Sequence, residues 1–249
     1  MLVLRDHGVE DYEALRDMDA TDVGQVREDD QACLAELGQY LVTTEAWQRF
    51  GIWLLHKHFD PDPGEVFVEQ IVQSPRGTKT SPIDRSAFGA HGLHATAIRF
   101  GDGSGAAVAM EYAEPDDFGD GEPLSDDDAI VLAGIAERLA AHDKIDRFGV
   151  RLIRDPLGLA ENELLHETSD SGDRAMNCVV GDRDDVLVAQ RAIQTAWKWR
   201  VVHGGPETIV MQECTAGCVR VGEGHDVAHN AAGFDGHDEP TVGGPDQPF

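Results

Sequence analysis

Apolar positions recur at helical spacing over residues 9–20 and 28–48, where Cys33, Leu34, Leu37, Leu41 and Trp47 can form one buried stripe. Residues 52–59 and 65–72 are instead rich in β-branched and aromatic side chains. They flank Asp60-Pro61-Asp62-Pro63-Gly64, a run of turn formers, so the pattern predicts strand, turn, strand. Residues 74–92 carry two prolines, three glycines and several Ser and Thr without a clear period and read as a long loop. A second hairpin is expected from residues 93–100 and 106–112 across a glycine-rich turn, followed by an acidic linker over 114–128. Residues 129–141 place Ile130, Leu132, Ile135, Leu139 and Ala140 at helical spacing, with Ser125 and Asp128 as the N-terminal cap. Further strands are expected at 149–153, 163–167, 175–180, within 186–198 and at 208–213, before a flexible acidic tail over 231–249.

The pattern also echoes itself. Arg49-Phe50-Gly51-Ile52-Trp53-Leu54-Leu55 returns 98 residues later as Arg147-Phe148-Gly149-Val150-Arg151-Leu152-Ile153, and the same offset carries Glu65 and Glu69 onto Glu163 and Glu167. Residues 95–102 align with 175–182, as though the second hairpin recurred after a shorter loop. The expected class is therefore α+β, a mostly antiparallel sheet with flanking helices, in one domain over residues 1–230. Within it, residues 28–114 and 126–213 read as duplicated halves.

Composition changes the picture of the surroundings. The chain has 249 residues with 47 Asp and Glu against 20 Lys and Arg, a formal net charge of -27. Only Lys57, Lys79, Lys144 and Lys198 are lysines. Such a surface disfavours duplex nucleic acid and anionic membranes, whose phosphates require cations. It resembles the acidic surfaces of proteins from salt-in halophiles, which work in molar salt where the Debye length is about 3 Å and self-repulsion is screened. The melting temperature should accordingly rise substantially between dilute buffer and molar KCl; a salt-insensitive melt would refute this reading. With no signal-like segment, no apolar run of spanning length and four sparse cysteines, the expectation is a cytoplasmic protein with reduced thiols.

Two groups of residues have the donor types of a metal site. His56, His58 and Asp60 alternate at the end of an expected strand and would share a face there, suiting zinc, iron or manganese. Over residues 52–60 the segment resembles the His-x-His-x-Asp-His element of the metallo-β-lactamase superfamily, although Pro61 stands where that family has a further histidine. These residues suggest a metal-dependent hydrolase in which His56, His58 and one or more of Asp60, His91 and His94 hold the ion, with Glu65 or Glu69 as general base. The second group is Cys214, Cys218, His225 and His229, two thiols and two imidazoles within sixteen residues. This is the donor set of a structural zinc, with His225 and His229 expected one turn apart on a short helix.

No Gly-x-Ser-x-Gly elbow supports nucleophilic serine chemistry, and the glycines at 101–105 precede a strand rather than a phosphate-binding helix. Cys33 and Cys178 read as buried apolar residues, and Trp197 and Trp199 as core. The leading expectation is a binding or assembly protein stabilised by zinc; the alternative is the metal-dependent hydrolase.

Overall fold

The structure is a computed structural model that describes residues 3–16, 26–57, 59–89, 92–101, 106–160, 163–170, 172–182, 192–204, 207–221 and 224–234, with the backbone alone over 164–170, 182, 192–194, 200, 202–204, 207–221 and 224–234. In chain order its elements are β1 (Leu4–Asp6), α1 (Val9–Glu13), α2 (Glu28–Thr43), β2 (Phe50–Leu54), β3 (Glu65–Gln73), β4 (Arg76–Asp84), β5 (His94–Phe100), β6 (Ala107–Ala113), α3 (Ala129–Ala141), β7 (Phe148–Leu152), β8 (Glu163–Asp170), β9 (Ala175–Asp182), β10 (Ala192–Gly204), β11 (Glu207–Val221) and β12 (Gly224–Phe234).

The fold is α+β. Strands β1 to β9 make a mostly antiparallel, curled half-barrel sheet in the order β8-β9-β4-β3-β6-β5-β7-β2, with β1 alongside β6 beyond β3. β10 adds antiparallel to β2, β11 and β12 follow it, and β12 pairs with β8. Among the described residues, only β1 and β3 pair parallel, each with β6.

The sheet has two differently covered faces. On one, α2 contributes Cys33, Leu34, Leu37 and Leu41 and α3 contributes Leu132, Ile135 and Leu139. These pack on Phe50, Ile52 and Leu54 of β2, Val66 and Val68 of β3, Phe148, Val150 and Leu152 of β7, and Trp197 and Trp199 of β10. On the other, Tyr12 and Leu15 from and just after α1 cover Trp53, Phe67, Val108 and Met110. Tyr12 Oη donates to Met110 O at 2.8 Å, which fastens the covering segment to the sheet.

Both long helices start on an aspartate-closed box. The Arg27 N–H donates to Asp30 at 3.0 Å before α2, and the Ser125 N–H donates to Asp128 at 2.8 Å ahead of α3. Burial pushes the Asp30 carboxyl up, but the Arg27 N–H, Lys144 and Arg147 outweigh it and hold the group below its ordinary value. Asp128 is treated alike by burial on one side and by Arg49 and the Ser125 N–H on the other. Arg49 reaches Asp128 through Nε at 2.6 Å and Nη2 at 2.7 Å.

Several expectations are corrected. Residues 76–84, read as part of a long loop, are β4, and it pairs with β3 on one side and β9 on the other. The run of prolines and small polar residues concealed a strand whose backbone is satisfied on both edges. Its position also changes the alignment of the two halves. Glu65 faces Asp84 as Glu163 faces Asp182, so β9 stands where β4 stands, rather than where β5 does. α1 ends at Glu13 and α2 at Thr43, short of the ranges expected from spacing; residues 17–25 lie outside the described residues. Ile130, which shares the helical spacing of Leu132, Ile135 and Leu139, is 82% exposed where those three are buried. The 231–249 tail divides, with 231–234 in β12 and 235–249 outside the described residues.

Close approach of β4 to β9 gives a mutational prediction. A Cβ at Gly77 would lie 1.9 Å from the Cys178 carbonyl oxygen, a backbone atom that cannot rotate away. Gly77→Ala should therefore cost about 1–3 kcal/mol, seen as a lowered urea midpoint. An unchanged midpoint would mean that the two strands are not so closely paired.

Candidate functional site

The polar feature that stands out is a row of charges on the sheet face away from α2 and α3. Arg151 of β7 lies opposite Ala97 of β5, which lies opposite Glu111 of β6, which lies opposite Phe67 of β3. One step along, Ala113 of β6 faces Glu69 of β3, Glu69 faces Thr80 of β4, and Thr80 faces Met176 of β9. Arg154, two residues beyond the end of β7, completes the group.

Glu69 and Glu111 are both buried, at 8% and 5% exposure. Arg154 Nη2 donates to Glu69 Oε1 at 2.7 Å, and its Nη1 donates to the Asp117 and Phe118 carbonyls at 3.5 and 3.3 Å. Its guanidinium also stands over the Phe118 ring, 5.4 Å from the centroid. Arg151 Nη2 donates to Glu111 Oε2 at 3.1 Å and lies 4.0 Å from Glu69 Oε2. Two carboxylates and two guanidiniums thus form one connected, formally neutral group. A pair of register shifts in the β5–β6 ladder, between Ala95 and Ala97 and between Ala97 and Ile98, falls directly at Glu111. Irregularities of this kind bend a strand and re-aim its side chains.

The sequence-derived candidates fare differently. β2 ends at Leu54, so His56 and Asp60 lie beyond the strand and the alternation that would have put them on one face does not apply. His56 is buried, donates through Nδ1 to Leu54 O at 2.7 Å and meets the Trp53 ring edge-on at 6.1 Å. Asp60 is held by Lys57 at 2.7 Å. His58 and His91 lie outside the described residues, and His94 stacks edge-on against Phe118 at 5.2 Å. Among the described residues there is no group of three or more His, Cys, Asp and Glu side chains placed to hold a metal ion.

Of the two carboxylates named as bases, Glu65 is claimed by Arg174 at 2.6 Å. Burial raises its carboxyl, but Arg174 and the Asp62 N–H prevail and hold it below its ordinary value, a poor setting for a general base. Glu69 belongs to the charged row. Its pairing with Arg154 had no signal in the sequence, since the two are 85 positions apart.

The Cys and His residues of the C-terminal group lie in one hairpin. Cys214 and Cys218 are on β11 and His225 and His229 on β12, so the helix expected at 225–229 is a strand instead. The i, i+4 spacing fits either structure, and pairing to β8 and β11 decides for the strand. In the ladder Cys218 is opposite Val227, two residues from each histidine, while Cys214 lies beyond a register shift, opposite Phe234. The side chains of these four residues lie outside what is described.

Cys33 and Cys178 are buried, and burial pushes the Cys33 thiol up to about 11, so it is protonated and inert at neutral pH. Trp197 and Trp199 are core, as expected. No helix of the described residues is long and apolar enough to cross a membrane. Comparison with protein-family models, with curated proteins and with solved structures found no match.

Proposed function

We propose that this chain is a binding protein whose sheet holds a small zwitterionic ligand at the row formed by Glu69, Glu111, Arg151 and Arg154. The observation that carries this reading is the burial of two carboxylates beside two guanidiniums on one sheet face. Buried ion pairs seldom repay their desolvation better than apolar residues of the same volume would. Two buried carboxylates so paired are therefore costly as mere scaffolding and are a recurrent mark of functional sites. A dianion would be repelled by the glutamates and a dication by the arginines. A ligand with one carboxylate and one ammonium group complements both signs, the carboxylate engaging a guanidinium fork and the ammonium a glutamate.

The test is a set of thermal melts in molar KCl with free amino acids, citrate and putrescine as probes. At least one amino acid should raise the melting temperature saturably, with a weaker response in Glu111→Gln and none of comparable size from citrate or putrescine. Absence of any saturable response to amino acids would overturn the proposal.

The same reading keeps a zinc at the β11–β12 hairpin as a stabilising element, held by Cys214, Cys218, His225 and His229. What supports it is the ladder, which keeps Cys218, His225 and His229 within a few residues of one another at little loop-closure cost. Elemental analysis of wild type and Cys218→Ser would decide this part. Zinc at one equivalent in the first and lost from the second is expected, and equal contents would refute it. The hydrolase reading has less support, because His56 and Asp60 already have partners on their own segment.

A further inference from the structure

Tyr12 and Leu15 cover the second sheet face from a segment that also carries a buried imidazole. This is His7, between β1 and α1, and among the described residues neither of its ring nitrogens makes a hydrogen bond. Its ring is boxed by Tyr12 at 4.8 Å, Phe67 at 5.9 Å and Tyr112 at 6.4 Å between centroids. The nearby acids are already engaged. Asp11 accepts from both Nη atoms of Arg5, at 2.6 and 2.8 Å, and from the Gly8 N–H at 2.8 Å. Asp6 accepts from Tyr112 Oη at 2.6 Å and from Arg85 Nε at 2.9 Å. A buried polar group left in this state costs free energy and calls for a role.

Protonation worsens the mismatch, because the imidazolium brings two N–H donors to a place whose carboxylates already have partners. Burial holds the His7 imidazole below its ordinary value of 6.5; Asp11, the Gly8 backbone and Asp6 oppose burial, Arg5 adds to it, and burial prevails. Glu10 acts on Arg5. From the sheet, Arg99 of β5 donates to Asp11 O at 2.9 Å, while Glu111 of β6 and Arg151 of β7, paired with each other, act on Tyr12. The segment itself is slight. β1 has three residues, paired among the described residues with β6 alone, and α1 has five, so opening it costs far less than unfolding the sheet. Tyr12 packs on Phe67 at 4.7 Å, and Phe67 lies opposite Glu111. We propose that residues 4–15 are an acid-opened cover over the Glu111 end of the charged row, and that protonation of His7 lifts it.

The inference rests on the zwitterion reading only for the purpose of the opening, which is access to the row, and its test uses no ligand. Backbone hydrogen exchange of the full chain in molar KCl, resolved by peptide and corrected for the intrinsic pH dependence of exchange, reads the opening directly. The closed state keeps His7 neutral and the open state lets it titrate normally, so closure weakens as pH falls below 6.5. Between pH 8 and pH 5.5 the protection of residues 4–13 should fall about five- to ten-fold, while that of α2 stays level. His7→Leu, with no proton to gain, should show equal protection at the two pH values. If that variant does not fold, the wild type decides through its pH curve, which should follow a single proton below 6.5. Constant wild-type protection, an equal fall in α2, or an equal fall in His7→Leu would overturn the proposal. Failed amino-acid melts alongside the expected exchange pattern would remove the ligand and uphold the cover.

Discussion

Arg154→Met is expected to destabilise the protein by about 3–5 kcal/mol, because it leaves Glu69 buried without its closest cation. For a chain of this length that is a fall in melting temperature of roughly 10 °C. The double variant Glu69→Leu with Arg154→Met should recover most of the loss, since removing both charges also removes the desolvation they require. Denaturant melts of wild type, the two single variants and the double variant give the coupling directly. Additive losses would show that Glu69 and Arg154 do not act as a pair, and the charged row would then lose its basis as one site.

The second large effect belongs to the opposite face. Leu37 is fully buried in the cluster where α2 and α3 meet the sheet. Truncation to alanine removes packed atoms and leaves a cavity that the surrounding strands cannot fully close, at a cost of about 2–5 kcal/mol. Leu37→Met keeps the volume and should cost less than about 1.5 kcal/mol. Ile130→Ala serves as the contrast: this side chain is 82% exposed, and its loss should fall within about 0.5 kcal/mol of wild type. Urea midpoints for the three variants test the assignment of the helix faces, and a large loss at Ile130 with none at Leu37 would reverse it.

The charged row explains why so little of the candidate site was legible. Glu69, Glu111, Arg151 and Arg154 come from β3, β6 and the end of β7, and only strand order brings them together. Each residue taken alone is an ordinary charged position near a strand. The readable candidates were those close in sequence, and closeness misled where it assumed a conformation. His56 and Asp60 were set on a strand that ends at Leu54, and His225 and His229 on a helix where β12 runs, although their spacing fits the strand as well. The echo at Arg49 and Arg147 was visible in the residues themselves. Its partners, Asp128 and Asp30, became visible only when each arginine was found bonded in the other half.

What the sequence determined by itself is the set of features governed by neighbours within a few positions. The period of Leu132, Ile135 and Leu139 together with the box of Ser125 and Asp128 sets α3, and short runs rich in β-branched and aromatic residues set β2, β3 and β7. The α+β class follows from those elements. Tertiary structure decided the remainder: that residues 76–84 form β4, that Ile130 faces solvent, and that Glu69 meets Arg154. Local periodicity records which conformation a segment prefers. Burial and ion pairing depend on what arrives from elsewhere in the chain, and here that was settled by strand order and by the exchange of contacts between the two halves.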